Sequence, residues 1–234
     1  MSGRLACTLR YYLWRTVSSW SGGLTVTGRR PQRGGCILVA NHSSHADTAV
    51  LLAALPPRVK PVFAAASDYW FDVPARRFVM TSLAGGLPVR RTEGGTYAAL
   101  LAAAKPALAQ GRTVVIYPEG TRSTDGNIHE FRSGALHLAR DCGVPVVPVA
   151  LLGTGEVLPK NGHYSPTPME VRFGEPMDPT TTTAEGLRRA VVTLRDENPV
   201  REGRSRVRSA ITLLFTGRHD RYAHADRSEY GLAA

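Results

Sequence analysis

No Asp or Glu occurs before Asp47 in this 234-residue chain, although Arg4, Arg10, Arg15, Arg29, Arg30 and Arg33 precede it. An N-terminal region with charge of one sign excludes a cationic partner there and suits an anionic one. Long apolar runs are missing as well. The best stretches, Ala49 to Pro56 and Val144 to Gly153, fall short of the roughly 18 residues that mark a spanning helix. The N-terminus also lacks the uninterrupted apolar region of a signal peptide. Cysteine is scarce: Cys7, Cys36 and Cys142 cannot all pair, and none has CxxC spacing. This excludes a disulfide scaffold and a thiolate metal site, and it fits a reducing, cytoplasmic compartment. Internal repeats and low-complexity linkers are absent. What is there is globular in kind, since 43% hydrophobic and 21% charged residues argue against disorder. The length suits one domain with a terminal extension. Lys and Arg number 29 against 19 acids, a formal charge of +10. The expected partner is therefore a nucleic acid, an anionic membrane or a phosphorylated substrate.

The first 22 residues carry a helical pattern. Leu5, Leu9, Tyr12, Leu13, Val17 and Trp20 share one face, with Arg4, Thr8 and Arg15 opposite. A basic amphipathic helix with Trp and Tyr suits a membrane interface, and an ordinary helix packed on the core remains the alternative. Beyond it, short apolar runs alternate with helical patterns. Strands are expected at Leu24 to Thr27, Cys36 to Ala40, Pro61 to Ala65, Leu87 to Val89, Thr113 to Tyr117, Val146 to Leu152 and Met169 to Phe173. Helices are expected at Thr48 to Leu55, Phe71 to Leu83, Thr96 to Gln110 (kinked or divided by Pro106), Ser133 to Cys142 and Thr183 to Glu197. Such alternation predicts an α/β layered fold with a mostly parallel central sheet flanked by helices. Ligands of such sheets bind at the carboxyl ends of the strands. Residues 23–200 form the expected domain. Residues 201–234 form a basic C-terminal extension of no readable role, although its arginines from Arg201 to Arg208 keep a nucleic-acid footprint open.

Two segments that follow strands carry chemistry. The first is Asn41-His42-Ser43-Ser44-His45-Ala46-Asp47. His42 and Asp47 lie five apart, about 140° around an ideal helix, so they do not share a helical face. With His42 in the turn before the helix, Asp47 in the first helical turn can reach back to it. A carboxylate on one ring nitrogen fixes the tautomer and leaves the other as a general base for a hydroxyl proton. Other readings stay open. Ser43 or Ser44 can cap the helix while Asp47 complements its dipole. A metal site from His42, His45 and Asp47 would serve a hydrolase but lacks a downstream ligand cluster. Neither serine sits in a Gly-x-Ser-x-Gly elbow. The second segment is Tyr117-Pro118-Glu119-Gly120-Thr121-Arg122-Ser123. Here Gly120 allows close backbone approach and Arg122 offers a fork suited to phosphate. A solvated surface turn is the alternative.

Together these segments resemble the glycerolipid (lysophospholipid) acyltransferase family. Asn41, His42 and Asp47 match its Asn-His-x4-Asp motif. Pro118 to Ser123 match its Phe-Pro-Glu-Gly-Thr-Arg-Ser motif, with Tyr117 replacing Phe. Phe131-Arg132-Ser133-Gly134-Ala135 matches its basic, glycine-containing helix start, and Val144 to Val149 its apolar Val-Pro strand. The likeness runs from about Leu24 to Phe173. One element departs: in Gly86-Leu87-Pro88-Val89-Arg90-Arg91, Arg90 stands where the family often has an acid. The resemblance implies acyl transfer from acyl-CoA or acyl carrier protein to the free hydroxyl of a lysophospholipid, 1-acylglycerol 3-phosphate above all, giving phosphatidic acid. It implies His42 as base, Asp47 as its partner, and Arg91, Glu119, Gly120, Thr121 and Arg122 as the acceptor site. It implies no metal and no cofactor beyond the donor. A lyso-ornithine lipid, a glycolipid or glycerol 3-phosphate is the alternative acceptor. The expected location is cytoplasmic, on the inner face of the cell membrane.

Overall fold

The computed structural model describes residues 3–32, 35–90, 96–159 and 163–197. Arg91 and the extension from 201 to 234 lie outside the described residues. The elements below belong to one unit that ends at Asp196.

In chain order they are α1 (Arg4–Trp20), β1 (Leu24–Gly28), β2 (Ile37–Ala40), α2 (Ala46–Ala54), β3 (Val62–Ala66), α3 (Ser67–Trp70), α4 (Pro74–Phe78), β4 (Gly86–Val89), α5 (Thr96–Ala109), β5 (Val114–Ile116), α6 (Gly134–Cys142), β6 (Val146–Leu152), α7 (Thr154–Val157), β7 (Met169–Phe173) and α8 (Ala184–Asp196). A 3-10 turn covers Pro57–Val59 and a π-helical turn Val79–Ala84. The strands form one sheet in the order β1-β7-β6-β2-β5-β3-β4. Neighbours are parallel except β6 and β7, which pair antiparallel.

Residues of β2 alternate between two apolar layers. Leu38 and Ala40 face Val50, Leu51 and Ala54 of α2, with Trp14 of α1 packed against the same layer. Ile37 and Val39 face α5, α6 and α8 through Ala104, Leu138, Leu187 and Val191. Burial on both faces explains why β2, β5 and β6 read as unbroken apolar runs rather than alternating ones.

Three local features refine the sequence reading and have physical reasons. The helix expected over Phe71 to Leu83, with Asp72-Val73-Pro74 as its start signal, begins at Pro74, whose fixed φ and missing N–H suit the first helical position. It passes into the π turn and stops at Gly85, whose φ of 75° is open to glycine and strained for other residues. A Cβ on Gly85 would also lie 2.8 Å from Arg10 Nη1. Pro106 neither divides nor ends α5, because it falls in the last turn, where the helix has little length left to lose. Finally, β7 runs against β6, and among the described residues their connection holds the short α7 and no long crossover helix of the kind that links parallel strands.

The apolar stripe of α1 does not face the core. Leu5, Leu9, Tyr12, Leu13, Val17 and Trp20 are exposed, Trp20 by 83%. The helix packs instead through Cys7, Trp14 and Ser18, positions spaced seven and four apart on the opposite face. No described helix is long and apolar enough to cross a membrane.

Candidate active site

Because β2 and β5 are adjacent and parallel, the loops after their carboxyl ends lie side by side. Residues 42 and 119, far apart in sequence, therefore meet. Asn41 fastens the first loop. Its side chain donates to Leu151 O at 3.0 Å and accepts from Leu151 N at 2.8 Å, extending the ladder of β6. The backbone of His42 is held twice: its N–H donates to Glu119 Oε1 at 2.7 Å, and its carbonyl accepts from Ser123 N at 2.8 Å.

The α2 helix starts at Ala46, so His42 precedes it and Asp47 occupies the first turn. His42 Nδ1 lies 2.7 Å from Asp47 Oδ2. The same oxygen accepts from the backbone N–H groups of Ser43 (2.8 Å) and Ser44 (2.9 Å). Asp47 is fully buried, and its Oδ1 accepts no hydrogen bond among the described residues. A carboxylate can only accept, so Nδ1 carries the imidazole proton and Nε2 keeps its lone pair. Ser44 Oγ accepts from Ala46 N and donates to Leu158 O, which gives that serine a local turn-closing part.

Tyr117 completes the clamp on the ring, a role the sequence did not disclose. Its ring stacks on His42 with centroids 4.1 Å apart and planes 13° apart. Its hydroxyl lies 3.1 Å from Thr48 Oγ1, one residue beyond Asp47. Burial, then the Asp47 charge, push that phenol well above its ordinary pKa. Stacking on one side and the carboxylate at one edge fix the imidazole in both plane and rotation.

Glu119 is buried and spends both oxygens on backbone. Oε1 takes His42 N–H, and Oε2 takes His129 N–H at 3.2 Å. Burial raises its pKa, while these two N–H groups oppose the shift. Gly120 follows with φ 75°, and a Cβ there would meet the Arg132 guanidinium at 3.0–3.3 Å. Gly120, Thr121, Arg122 and Arg132 line one cavity with His42 and Tyr117. The volume of that cavity is about 880 Å³. Much of its wall is apolar, including Trp14, Phe63, Met80 and Ala84. A second cavity, of about 600 Å³, lies against Asn41, His42, Ser43 and Glu119. Among the described residues no three His, Cys, Asp or Glu side chains come together as metal ligands. Arg90 follows β4 on the same edge of the sheet, and Arg91 lies outside the described residues.

A model of the acyltransferase family matches residues 23–152, more than half of the chain. The chain belongs to the acyltransferase family. Among curated relatives, it is 35% identical over 124 residues to a chloroplastic 1-acyl-sn-glycerol-3-phosphate acyltransferase of Brassica napus, a match covering 53% of this chain and 35% of that protein. It is 34% identical over 123 residues to the Arabidopsis thaliana protein of the same description, covering 53% and 33%. This acyltransferase-family chain thus spans about a third of the length of these relatives. Among solved structures, the 1-acyl-sn-glycerophosphate acyltransferase PlsC from Thermotoga maritima matches with a TM-score of 0.62 at 26% identity, covering 85% of this chain and 86% of that one. The mostly parallel sheet flanked by helices is shared with that structure.

His45 also lines the main cavity, with its ring edge-on to Trp70 at 5.4 Å between centroids. Partial burial, then the charges of Arg122 and His42, lower its pKa. The unfolded chain therefore takes up this proton at a higher pH than the native state does. The contribution of His45 to stability is present above its ordinary value of about 6.5 and is lost as the pH falls below it. His45→Gln is expected to show a shallower loss of melting temperature between neutral pH and mild acid than the wild type. Parallel slopes in thermal melts across that range would contradict the assignment.

Proposed function

We propose that this protein moves a fatty acyl group from an acyl thioester to the free hydroxyl of a lysophospholipid, with 1-acylglycerol 3-phosphate as acceptor and phosphatidic acid as product. The observation that carries this reading is His42, backed by the buried Asp47, in the wall of a largely apolar cavity that Arg122 and Arg132 also line. Such a cavity falls in the usual volume range for lipid-sized ligands, and two guanidinium groups beside it suit a phosphate monoester. The activities for which the relatives are named point the same way.

In this mechanism His42 Nε2 takes the hydroxyl proton of the acceptor as its oxygen attacks the thioester carbonyl. Asp47 offsets the charge that develops on the ring. The new C–O bond forms, the C–S bond breaks, and the imidazolium returns its proton to the departing thiolate. No covalent acyl-enzyme is needed. Arg122 and Arg132, with Arg91, hold the phosphate, while Gly120 and Thr121 bring backbone close to it. Glu119 acts by holding the His42 backbone, since its oxygens are already engaged. Acyl-CoA or acyl carrier protein supplies the thioester.

The acceptor lives in a membrane, and the exposed stripe of α1, on a helix that carries Arg4, Arg10 and Arg15 and no acid, is suited to an anionic lipid surface. The test of the reading is transfer from labelled acyl-CoA to 1-acylglycerol 3-phosphate, run with acyl carrier protein as alternative donor. Phosphatidic acid is the expected product. Product from lyso-ornithine lipid or glycerol 3-phosphate and none from 1-acylglycerol 3-phosphate would reject the acceptor, and no product from any pair would reject the reaction.

A further inference from the structure

We propose, resting on the lysophospholipid reading above, that residues 67–84 form a second lipid-contact element, which seats the cavity mouth on the bilayer so that the acceptor enters from the lipid phase. Residues 72–79 are exposed without interruption. Val73, Phe78 and Val79 lie in that run, Phe78 62% exposed, and Tyr69 is exposed just before it. Scattered surface apolar residues are ordinary. Four within eleven positions, adjoining the exposed stripe of another helix, make a patch of the kind that marks an interaction surface.

The element is fastened to α1. Arg10 Nε and Nη2 donate to Ser82 O at 2.8 Å and Thr81 O at 2.6 Å, and Trp14 Nε1 donates to Leu83 O at 2.9 Å. Val17 of α1 and Tyr69 and Val79 of this element are each both exposed and part of the main cavity wall. The two exposed apolar sets therefore meet at one mouth, and the apolar interior continues inward from it through Trp14 and Met80.

Charge tells what kind of occupant this element takes. Asp68 and Asp72 balance Arg76 and Arg77 within residues 67–84. Both arginines fold back on their own segment: Arg76 lies 4.5 Å from the Tyr69 ring centroid, and Arg77 donates to Phe71 O at 2.8 and 2.6 Å. The element thus offers apolar contact rather than phosphate recognition, whereas α1 has arginines and no acid. A lipid surface satisfies both at once, with headgroups beside α1 and acyl chains beneath Phe78 and Val73.

The test uses the full chain with two variants, Val73→Ser/Phe78→Ser and Arg4→Gln/Arg15→Gln, none of which touches the cavity wall. Sedimentation with phosphatidylcholine–phosphatidylglycerol vesicles is measured at low and high salt. The apolar double variant is expected to lose partitioning by about a hundredfold or more at both salts, as burial of two such side chains implies. The arginine variant should lose it at low salt only, since salt screens its contribution. Transfer to a long-chain acceptor in vesicles should fall with vesicle binding in the apolar variant, while transfer to a short-chain acceptor dispersed as monomers stays at the wild-type rate. Wild-type vesicle binding by the apolar variant would overturn the proposal, as would an equal fall with the monomeric acceptor, or failure of wild type to bind vesicles in favour of a protein partner. Vesicle binding is read without any reaction. A wild type that binds vesicles and transfers no acyl group would sink the acceptor assignment and leave this surface standing.

Discussion

His42→Ala is expected to lower kcat for acyl transfer by about 10²–10⁴-fold, the range for loss of a positioned general base, with little change in melting temperature. The side chain is partly exposed and makes one hydrogen bond, to Asp47. Its removal leaves Asp47 with the Ser43 and Ser44 N–H donors, so the turn keeps its shape. Asp47→Asn separates chemistry from folding more sharply. The carboxylate is fully buried with one oxygen lacking a partner among the described residues, so a neutral amide removes a burial penalty. It also removes the charge that stabilises the imidazolium. The variant should be nearly inactive and no more than modestly less stable than the wild type, since the new amide donors meet no acceptor where Oδ1 stood. The double variant should be no slower than the worse single one, because residues that act as a unit are not additive. Labelled acyl-CoA turnover with parallel thermal melts checks all three, and a His42→Ala enzyme with wild-type turnover would place the base elsewhere.

The sheet was legible because its central strands are buried on both faces. Ile37–Ala40, Val114–Ile116 and Val146–Leu152 are apolar throughout, and no helical period competes. Both chemical segments were legible because each follows such a strand. Strand order was not: nothing local says that β5 inserts beside β2, the step that joins His42 to Glu119. Tyr117 was hidden for a related reason. An aromatic at the end of a strand reads as a strand former, and only the fold turns its ring onto His42. Arg132 stood in a recognised motif, but its position over Gly120 depends on where α6 begins relative to the second loop. In α1 the pattern was read correctly as amphipathic, yet the usual rule sends the apolar face inward. Here Cys7, Trp14 and Ser18 go inward, and the more apolar stripe is left outside.

Glu119→Gln is the second variant with a large expected effect, and it decides between two parts for this residue. The resemblance to glycerolipid acyltransferases implies contact with the acceptor. The geometry gives Oε1 to His42 N–H and Oε2 to His129 N–H, with the side chain buried. A glutamine has one acceptor for these two donors, so its amide must face an N–H, and a buried polar group left without its partner costs about 1–3 kcal/mol. Since His42 has the shorter of the two bonds and a ring confined by Tyr117 and Asp47, a small backbone shift there misaligns the base. A loss of about tenfold to a hundredfold in kcat is expected from a base displaced by a fraction of an ångström to about one ångström, with KM for the acceptor close to wild type. A direct ligand would give the reverse, a raised KM with kcat retained. Ionisation supplies a second readout. Burial holds the Glu119 pKa above the ordinary glutamate value, and protonation converts one acceptor into a donor, as the amide does. Wild-type kcat should therefore decline as the pH falls through that raised value, and Glu119→Gln should lack this component of the acid limb. Matching acid limbs in the two enzymes would remove Glu119 from the pH dependence.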